Sequence, residues 1–311
     1  MEPPRRQPER SNIALLLGTA LVLVAAFVAI VLLFFAFSPF VPSLTGRCVA
    51  VVDINQELTV DGVPSTLFSP GTPGSEQIAD SIRALGARED VGAVLFVVNS
   101  GGGSVVATRE IYDAVKELDK PKVAYFREVA ASGAYYLATG TDYIISDPDA
   151  LTGSIGVIAT FTDMSGLLDK IGVNVTAITS GSHKDIGSSF RSMTPEEQAI
   201  LQALINEIYD EFRSVVVENR RGRLDLAKFN DVADGRILSG RQAAKIGLVD
   251  QLGTKRDAIV KAARLANIPA ESADDVRLCP VSSSAEEGGL FSAESFIRQI
   301  EAKTGLAIGY E

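Results

Sequence analysis

The stretch AVLFVVNSGGGS, residues 93–104, decides how the rest of the sequence is interpreted. Six apolar residues in succession, without polar alternation, are typical of a strand that is buried on both faces of a sheet. Glycines follow at once and helical spacing resumes at Val105, so the chain turns directly from strand to helix. The turn is either a plain connection or an oxyanion hole, in which backbone N–H groups point together at an anion.

The same alternation of strands and helices continues on both sides of this stretch. Continuous apolar strands separated by helices predict an α/β fold with a sheet covered on both faces. The long helix near residue 200 carries a capping box, since Thr194 is followed by Pro195 and Glu197. The predicted strands are Cys48–Ile54, Ala93–Val98, Lys122–Phe126, Tyr143–Ile145, Ile155–Ala159 and Val173–Ile178, and the predicted helices are Ser75–Ala87, Val105–Leu118, Ser192–Arg220, Ser239–Gly247 and Thr254–Leu265.

The N-terminal segment has the composition of a membrane anchor. No charged residue occurs from Ser11 to Gly46, and Ile13–Phe37 is almost wholly apolar. These residues would form a helix of roughly 37 Å, enough to cross a bilayer core of about 30 Å. A cleaved signal peptide would have a shorter apolar region and small residues at the cleavage site. Because Arg5, Arg6 and Arg10 precede the span, the positive-inside rule predicts a cytoplasmic N-terminus.

The domain organisation follows from that anchor. We expect a cytoplasmic tail over residues 1–10, a transmembrane anchor over 11–40, a linker over 41–47 and a folded domain over 48–280. Residues 281–311 would form a flexible linker and a C-terminal tail helix, because the segment from Val281 to Gly289 is rich in Ser, Glu and Gly.

Composition excludes several classes of function. The formal net charge of −10 argues against nucleic acid as a partner, because phosphate binding needs clustered Lys and Arg. One His and two Cys cannot supply a structural zinc site of four nitrogen or sulfur ligands, so no metal is expected. Cys48 and Cys279 are interpreted as two separate thiols, although an oxidising exterior permits a disulfide between them.

Two further segments carry candidate catalytic side chains. Ser132 lies among small residues at a predicted helix start, where a serine is either an N-cap or an exposed nucleophile. Lys184 lies in a loop rich in Gly and Ser, where a lysine is usually solvated. If the Lys184 amine were buried beside a serine, burial would lower its pKa, and the neutral amine would act as a general base.

In their order, these motifs resemble the signal peptide peptidase A family of membrane-bound serine peptidases, in its short single-unit form. The resemblance rests on the glycine turn, ASGAYY at residues 131–136, TGSIGV at 152–157 and SGSHKD at 180–185, followed by DGR at 234–236 and AAKIGLVD at 243–250. Gly101 is a departure, because the family often has Pro there.

The resemblance implies a fold, a site and an assembly. The fold would be a ClpP/crotonase-like spiral of β-β-α units, preceded by one N-terminal transmembrane helix. Ser132 would be the nucleophile, Lys184 the general base and Ser154 the residue that orients the lysine amine. The amides of Gly102 and Gly133 would form the oxyanion hole, with no cofactor. The partners would be peptide or signal-peptide substrates, the lipid bilayer and other copies of the chain in a ring, with the catalytic domain outside the cell membrane.

Three alternatives remain open from the sequence. The fold would also suit an acyl-CoA hydratase or isomerase of the crotonase type, and it would suit a non-catalytic membrane scaffold. A Ser-His-Asp hydrolase would have to use His183, the single histidine.

Overall fold

A computed structural model describes residue 27 and residues 46–64, 71–279 and 281. The chain divides into two compact units, Met1–Gly46 and Arg47–Glu311. The predicted anchor, apart from Phe27, and the predicted C-terminal tail, apart from Val281, lie outside the described residues. Within the described ranges, no helix has both the length and the apolar composition to cross a membrane.

The second unit alternates strands and helices along most of its length. The strands are β1 Cys48–Ile54, β2 Val91–Ser100, β3 Lys122–Ala131, β4 Tyr143–Ser146, β5 Leu151–Gly153, β6 Ile237–Ser239, β7 Gln251–Leu252 and β8 Leu278–Cys279. The helices are α1 Ser75–Ala87, α2 Val105–Glu117, α3 Gly133–Ala138, α4 Ser165–Ile171, α5 Pro195–Asn219, α6 Leu226–Val232, α7 Gly240–Lys245 and α8 Lys255–Leu265. A short 3₁₀ helix, Ala273–Asp275, precedes β8.

The strands form one mixed sheet in the order β6-β5-β3-β2-β1-β8. Its pairs are parallel except β5 with β6. The long strand β3 has two successive partners on one side: residues 123–126 pair with β4, and residues 129–131 pair with β5. The sheet therefore branches at β3, and β5 lies beside the carboxyl end of β3.

Both faces of the sheet are covered, as the continuous apolar strands predict. Alternate residues of β2 belong to different buried clusters, with Phe96 in the larger one and Leu95 in the other. Ile82 of α1 and Ile111 of α2 pack in the larger cluster, whereas Ala262 of α8 packs in the smaller one. The prediction of an α/β fold is confirmed, and so is the Thr194–Glu197 capping box at the start of α5.

Two predicted strands are wrong. Residues 155–159 and 173–178 are not in strands, although their apolar runs predicted them. The chain leaves the sheet at Gly153 and Ser154, which both have positive φ. Beyond them several apolar side chains are exposed, including Ile158 at 87% and Ile178 at 96%. An apolar run in a sequence therefore does not reveal whether its side chains are buried within the chain or exposed on its surface.

The interpretation of the cysteines as separate thiols is also wrong. Cys48 and Cys279 form a disulfide although 231 residues separate them in sequence. The sheet brings them together, because β1 and β8 are adjacent parallel strands in which Ala50 is the partner of Cys279. Sequence separation carried no information about this distance.

Reduction of this disulfide is expected to lower the free energy of unfolding by about 2–5 kcal/mol, because a cross-link over a long loop restricts the unfolded chain. Urea unfolding with and without dithiothreitol measures the effect. The double variant Cys48→Ser/Cys279→Ser is the control, since reductant should not change its midpoint. An unchanged midpoint for the reduced wild-type protein would show that the disulfide contributes no stability.

Candidate active site

The carboxyl ends of three neighbouring parallel strands meet at one edge of the sheet. Ser100 of β2 is the partner of Ala130 in β3, and Ala131 of β3 is the partner of Gly153 in β5. The turns that follow these strands therefore lie side by side. They bring together four of the five site residues that the sequence suggested, namely Gly102, Ser132, Gly133 and Ser154.

Ser132 has a backbone conformation that L-residues rarely adopt. Its φ is 54° and its ψ −126°. The conformation is held by two backbone hydrogen bonds, from Ser132 N to Gly153 O at 2.9 Å and from Tyr136 N to Ser132 O at 3.0 Å. The hydroxyl does not cap α3, which excludes the N-cap role. A half-buried serine on a strained strand-to-helix turn is the geometry that exposes a nucleophile.

Gly102 and Gly133 lie in direct contact beside Ser132. Gly102 has a φ of 96°, and a Cβ atom there would lie 2.6 Å from Gly133 N. A Cβ atom on Gly133 would lie 2.2 Å from Thr108 Oγ1. Both positions therefore require glycine. The Gly102 N–H donates to Ser100 Oγ at 3.2 Å, a long hydrogen bond that a charged oxyanion would outcompete.

Ser154 follows β5 with a φ of 50°. Its N–H donates to Arg236 O at 2.8 Å, which joins the TGSIGV motif to the DGR motif that the sequence placed far downstream. The Ser154 hydroxyl makes no hydrogen bond within the described ranges, so its predicted contact with the Lys184 amine is not formed in the single chain.

Lys184 lies in a loop, and within the described ranges it makes no hydrogen bond with either serine of the predicted site. Its N–H donates to Gly181 O at 3.2 Å within a series of turns. The side chain is exposed and, in the part of the chain that the structure describes, makes no hydrogen bond or ion pair. His183 is beside α5 instead, with its Nε2 3.7 Å from Glu196 Oε1.

A small pocket opens next to Ser132. Its apolar lining comes from Val105, Tyr136, Ile208 and Phe212, and the ion pair between Arg109 and Glu211 also borders it. Burial, together with the Glu211 charge, raises the pKa of Tyr136 to about 12, so its phenol is neutral at working pH.

Sequence reasoning did not find Thr108, which lines the same pocket. Its Oγ1 is buried without a hydrogen-bond partner among the described residues. It sits four residues after Ser104, on the first turns of α2, and nothing in its spacing distinguishes it from a core threonine.

A ClpP-like hydrolase is the class of protein that this sheet and this serine turn define. The sequence profile of Clp protease matches residues 71–145, and that of peptidase family S49 matches residues 114–269. The chain belongs to peptidase family S49, which confirms the resemblance to signal peptide peptidase A.

Curated relatives agree with this assignment. The chain is 45% identical over 182 residues to a putative protease of Methanocaldococcus jannaschii, covering 58% of each protein. It is 36% identical over 211 residues to the putative signal peptide peptidase SppA of Enterococcus faecium, covering 65% of this chain and 61% of that protein. Protease 4 of Salmonella typhi is 34% identical over 73% of this chain and 36% of its own length. The chain thus spans less than two thirds of these relatives.

Proposed function

We propose that this peptidase is a membrane-anchored serine endopeptidase that uses a Ser-Lys dyad and cleaves peptides such as remnant signal peptides. The observation that carries the proposal is Ser132, whose strained turn frees its hydroxyl beside the amides of Gly102 and Gly133. A serine needs a base to become a nucleophile, and Lys184 is the candidate that the family motif supplies.

The mechanism follows from these groups. The neutral Lys184 amine takes the Ser132 proton as Oγ bonds to the carbonyl carbon of the peptide. The carbonyl oxygen becomes an oxyanion that accepts hydrogen bonds from the Gly102 and Gly133 amides. The protonated Lys184 then gives its proton to the leaving amine as the C–N bond breaks. Water, deprotonated by the same amine, finally hydrolyses the acyl ester on Ser132.

A ring of several copies would give Lys184 the environment that a neutral amine needs. The amine is exposed in the single chain, and burial is what lowers the pKa of a lysine. The segment around it presents apolar side chains to solvent, with Leu167, Ile171 and Ile178 more than half exposed. Such a surface is typical of one that another protein surface covers. We infer that a second copy of the chain covers it.

The location outside the cell membrane is supported by two features. The charge-free residues 11–40 follow three arginines, which favours a cytoplasmic N-terminus. The disulfide between Cys48 and Cys279 is typical of an oxidising compartment.

The apolar pocket beside Ser132 favours substrates with small or apolar side chains, such as those of signal peptides.

The test is a peptidase assay of the full chain in detergent, with an apolar peptide substrate, on wild type and Lys184→Ala. We expect kcat to fall by about 10²–10⁴-fold, which is what a general base contributes. Lys255→Ala, at the exposed start of α8, is the matched control and should retain activity.

Three results would contradict the proposal. Near wild-type turnover in Lys184→Ala would remove the dyad. Loss of activity in His183→Ala, with Lys184→Ala active, would favour a histidine base. A wild-type chain that neither cleaves peptide nor reacts with a serine-directed probe would be a scaffold.

A further inference from the structure

We infer that Arg191 is a positioning residue for Lys184, holding the lysine loop on α5 and neutralising the carboxylate of Asp185, the next residue in the sequence. The inference rests on the proposed function, in which Lys184 is the base. The Lys184 side chain has no partner within the described ranges, whereas the residue that follows it is held by two hydrogen bonds.

Arg191 joins two carboxylates through one guanidinium group. Its Nε and Nη2 donate to the two oxygens of Asp185, each at 2.8 Å. Its Nη1 donates to Glu197 Oε2 at 2.8 Å, and Nη2 also bonds Glu197 Oε1. Two-pronged contacts of this kind fix direction as well as distance. Asp185 follows the lysine directly, so the contact fixes the backbone at Lys184.

The other end of this clamp is rigid. Glu197 is 2% exposed and belongs to the capping box of α5, where its Oε2 accepts from Thr194 N at 2.9 Å. On the other side of the lysine, His183 faces Glu196 in the same first turn. The residue after Lys184 is therefore held against the start of α5, and the residue before it lies beside the same turn.

A second set of contacts braces the far side of the loop. Ser192 Oγ donates to Asp163 Oδ2 at 2.6 Å, and Met164 N donates to Ser189 O at 2.8 Å. The loop is thus fixed to the segment before α4 as well as to α5. Lys184 projects from a braced loop, and its amine is left free of carboxylates.

The charges explain why an arginine is needed here. A carboxylate near an amine favours the ammonium form and raises the pKa of the amine. The charged or titratable groups around the loop are Asp163, His183, Asp185, Arg191, Glu196 and Glu197. Arg191 holds the pKa of Asp185 below its usual range and helps to lower that of Glu197 to about 2, so both stay ionised and paired. Without Arg191, the carboxylate of Asp185, the next residue in the sequence, would be uncompensated and would favour the charged, inactive form of Lys184.

The test is the pH profile of kcat/KM for Arg191→Met and Arg191→Lys in the full chain. For Arg191→Met we expect the acid limb to move to higher pH by about half a unit to one unit. Activity should fall about 3–10-fold near neutral pH and recover in alkaline buffer. Arg191→Lys keeps the charge and should keep the acid limb near its wild-type position. Asp185→Asn removes a carboxylate and should move the limb the other way.

The matched control is Arg256→Met, which breaks an exposed pair with Asp274 elsewhere on the surface. Its profile should equal that of wild type. A uniform loss of activity in Arg191→Met, with an unmoved acid limb, would overturn the inference, because it would reveal a merely structural role. Equal shifts in Arg191→Met and Arg191→Lys would also overturn it.

A measurement without catalysis separates this inference from the proposed function. In a Ser132→Ala background, the rate at which an amine-acylating reagent labels Lys184 at each pH reports the protonation of that amine. We expect the labelling curve of Arg191→Met to move to higher pH by the same amount as the kinetic limb. An unmoved labelling curve would overturn the inference, whereas turnover that survives Lys184→Ala would overturn only the dyad.

Discussion

Replacing Ser132 by alanine is expected to abolish peptide hydrolysis while the chain remains folded. The hydroxyl supplies the bond to the substrate carbonyl, and no neighbouring group on the described turn can replace it. We expect kcat to fall by at least about 10³-fold. Labelling by a serine-directed probe should disappear in parallel, and the thermal unfolding midpoint should stay near that of wild type.

Ser132→Gly provides a matched variant that separates chemistry from backbone strain. Glycine adopts positive φ without the steric penalty of a Cβ atom, and the φ of Ser132 is 54°. Ser132→Gly should therefore be inactive and yet about 1 kcal/mol more stable than Ser132→Ala. Equal stability of the two variants would show that the turn is unstrained. Wild-type turnover in Ser132→Ala would remove Ser132 as the nucleophile.

The largest loss of stability is expected for Arg220→Met. Arg220 is a fully buried side chain, 1% exposed, that donates to Asp250 Oδ1 at 2.7 Å and to Gly247 O at 2.9 and 3.0 Å. Asp250 is 7% exposed and also accepts from Ile144 N at 2.7 Å. Removing the cation leaves a buried carboxylate whose main partner is gone. We expect the free energy of unfolding to fall by about 3–5 kcal/mol.

Urea unfolding followed by circular dichroism measures this effect. Arg241→Met breaks an exposed pair with Asp149 and should cost less than about 1 kcal/mol. The double variant Arg220→Met/Asp250→Leu should regain part of the loss, because two apolar side chains leave no unpaired charge. Equal losses in Arg220→Met and Arg241→Met would contradict the role of the buried pair.

This ion pair matters for the site because it lies behind the helix that follows the serine. Tyr135 of α3 is fully buried, and its hydroxyl donates to Leu248 O at 3.0 Å, within the segment that Arg220 and Asp250 hold. Burial raises the pKa of the Tyr135 phenol, which therefore stays a hydrogen-bond donor. The hydrogen bonds of Tyr135, Arg220 and Asp250 thus help to fix the start of α3, and with it the Ser132 turn.

Much of the fold and part of the site could be predicted from the sequence. Strand β2 and helices α1 and α5 carry strong local signals: a continuous apolar run, helical spacing and a capping box. The helix start at Ser132 is confirmed, whereas the role of Ser132 as nucleophile came from the family motif and stays a prediction. The short strands β5 and β6 carry few residues each, so no periodicity could reveal them.

Other features depend on contacts that local sequence does not encode. The disulfide depends on the pairing of β8 with β1, two strands that lie far apart in the sequence. The runs at residues 155–159 and 173–178 are apolar, yet they pair with no strand in the described part of the chain. Arg191 binds Asp185, six residues before it, and Glu197, six residues after it. The loop between them has no periodic pattern, so the sequence does not predict this contact.

The link between Cys48 and Cys279 closes a covalent ring of chain that contains Ser132 and Lys184. A single break in the backbone anywhere inside that ring opens it without releasing a fragment. Other copies of the same peptidase can cleave its exposed apolar loops. Here such a nick, even within the loop of Lys184, would leave one molecule with both halves of the proposed dyad still joined.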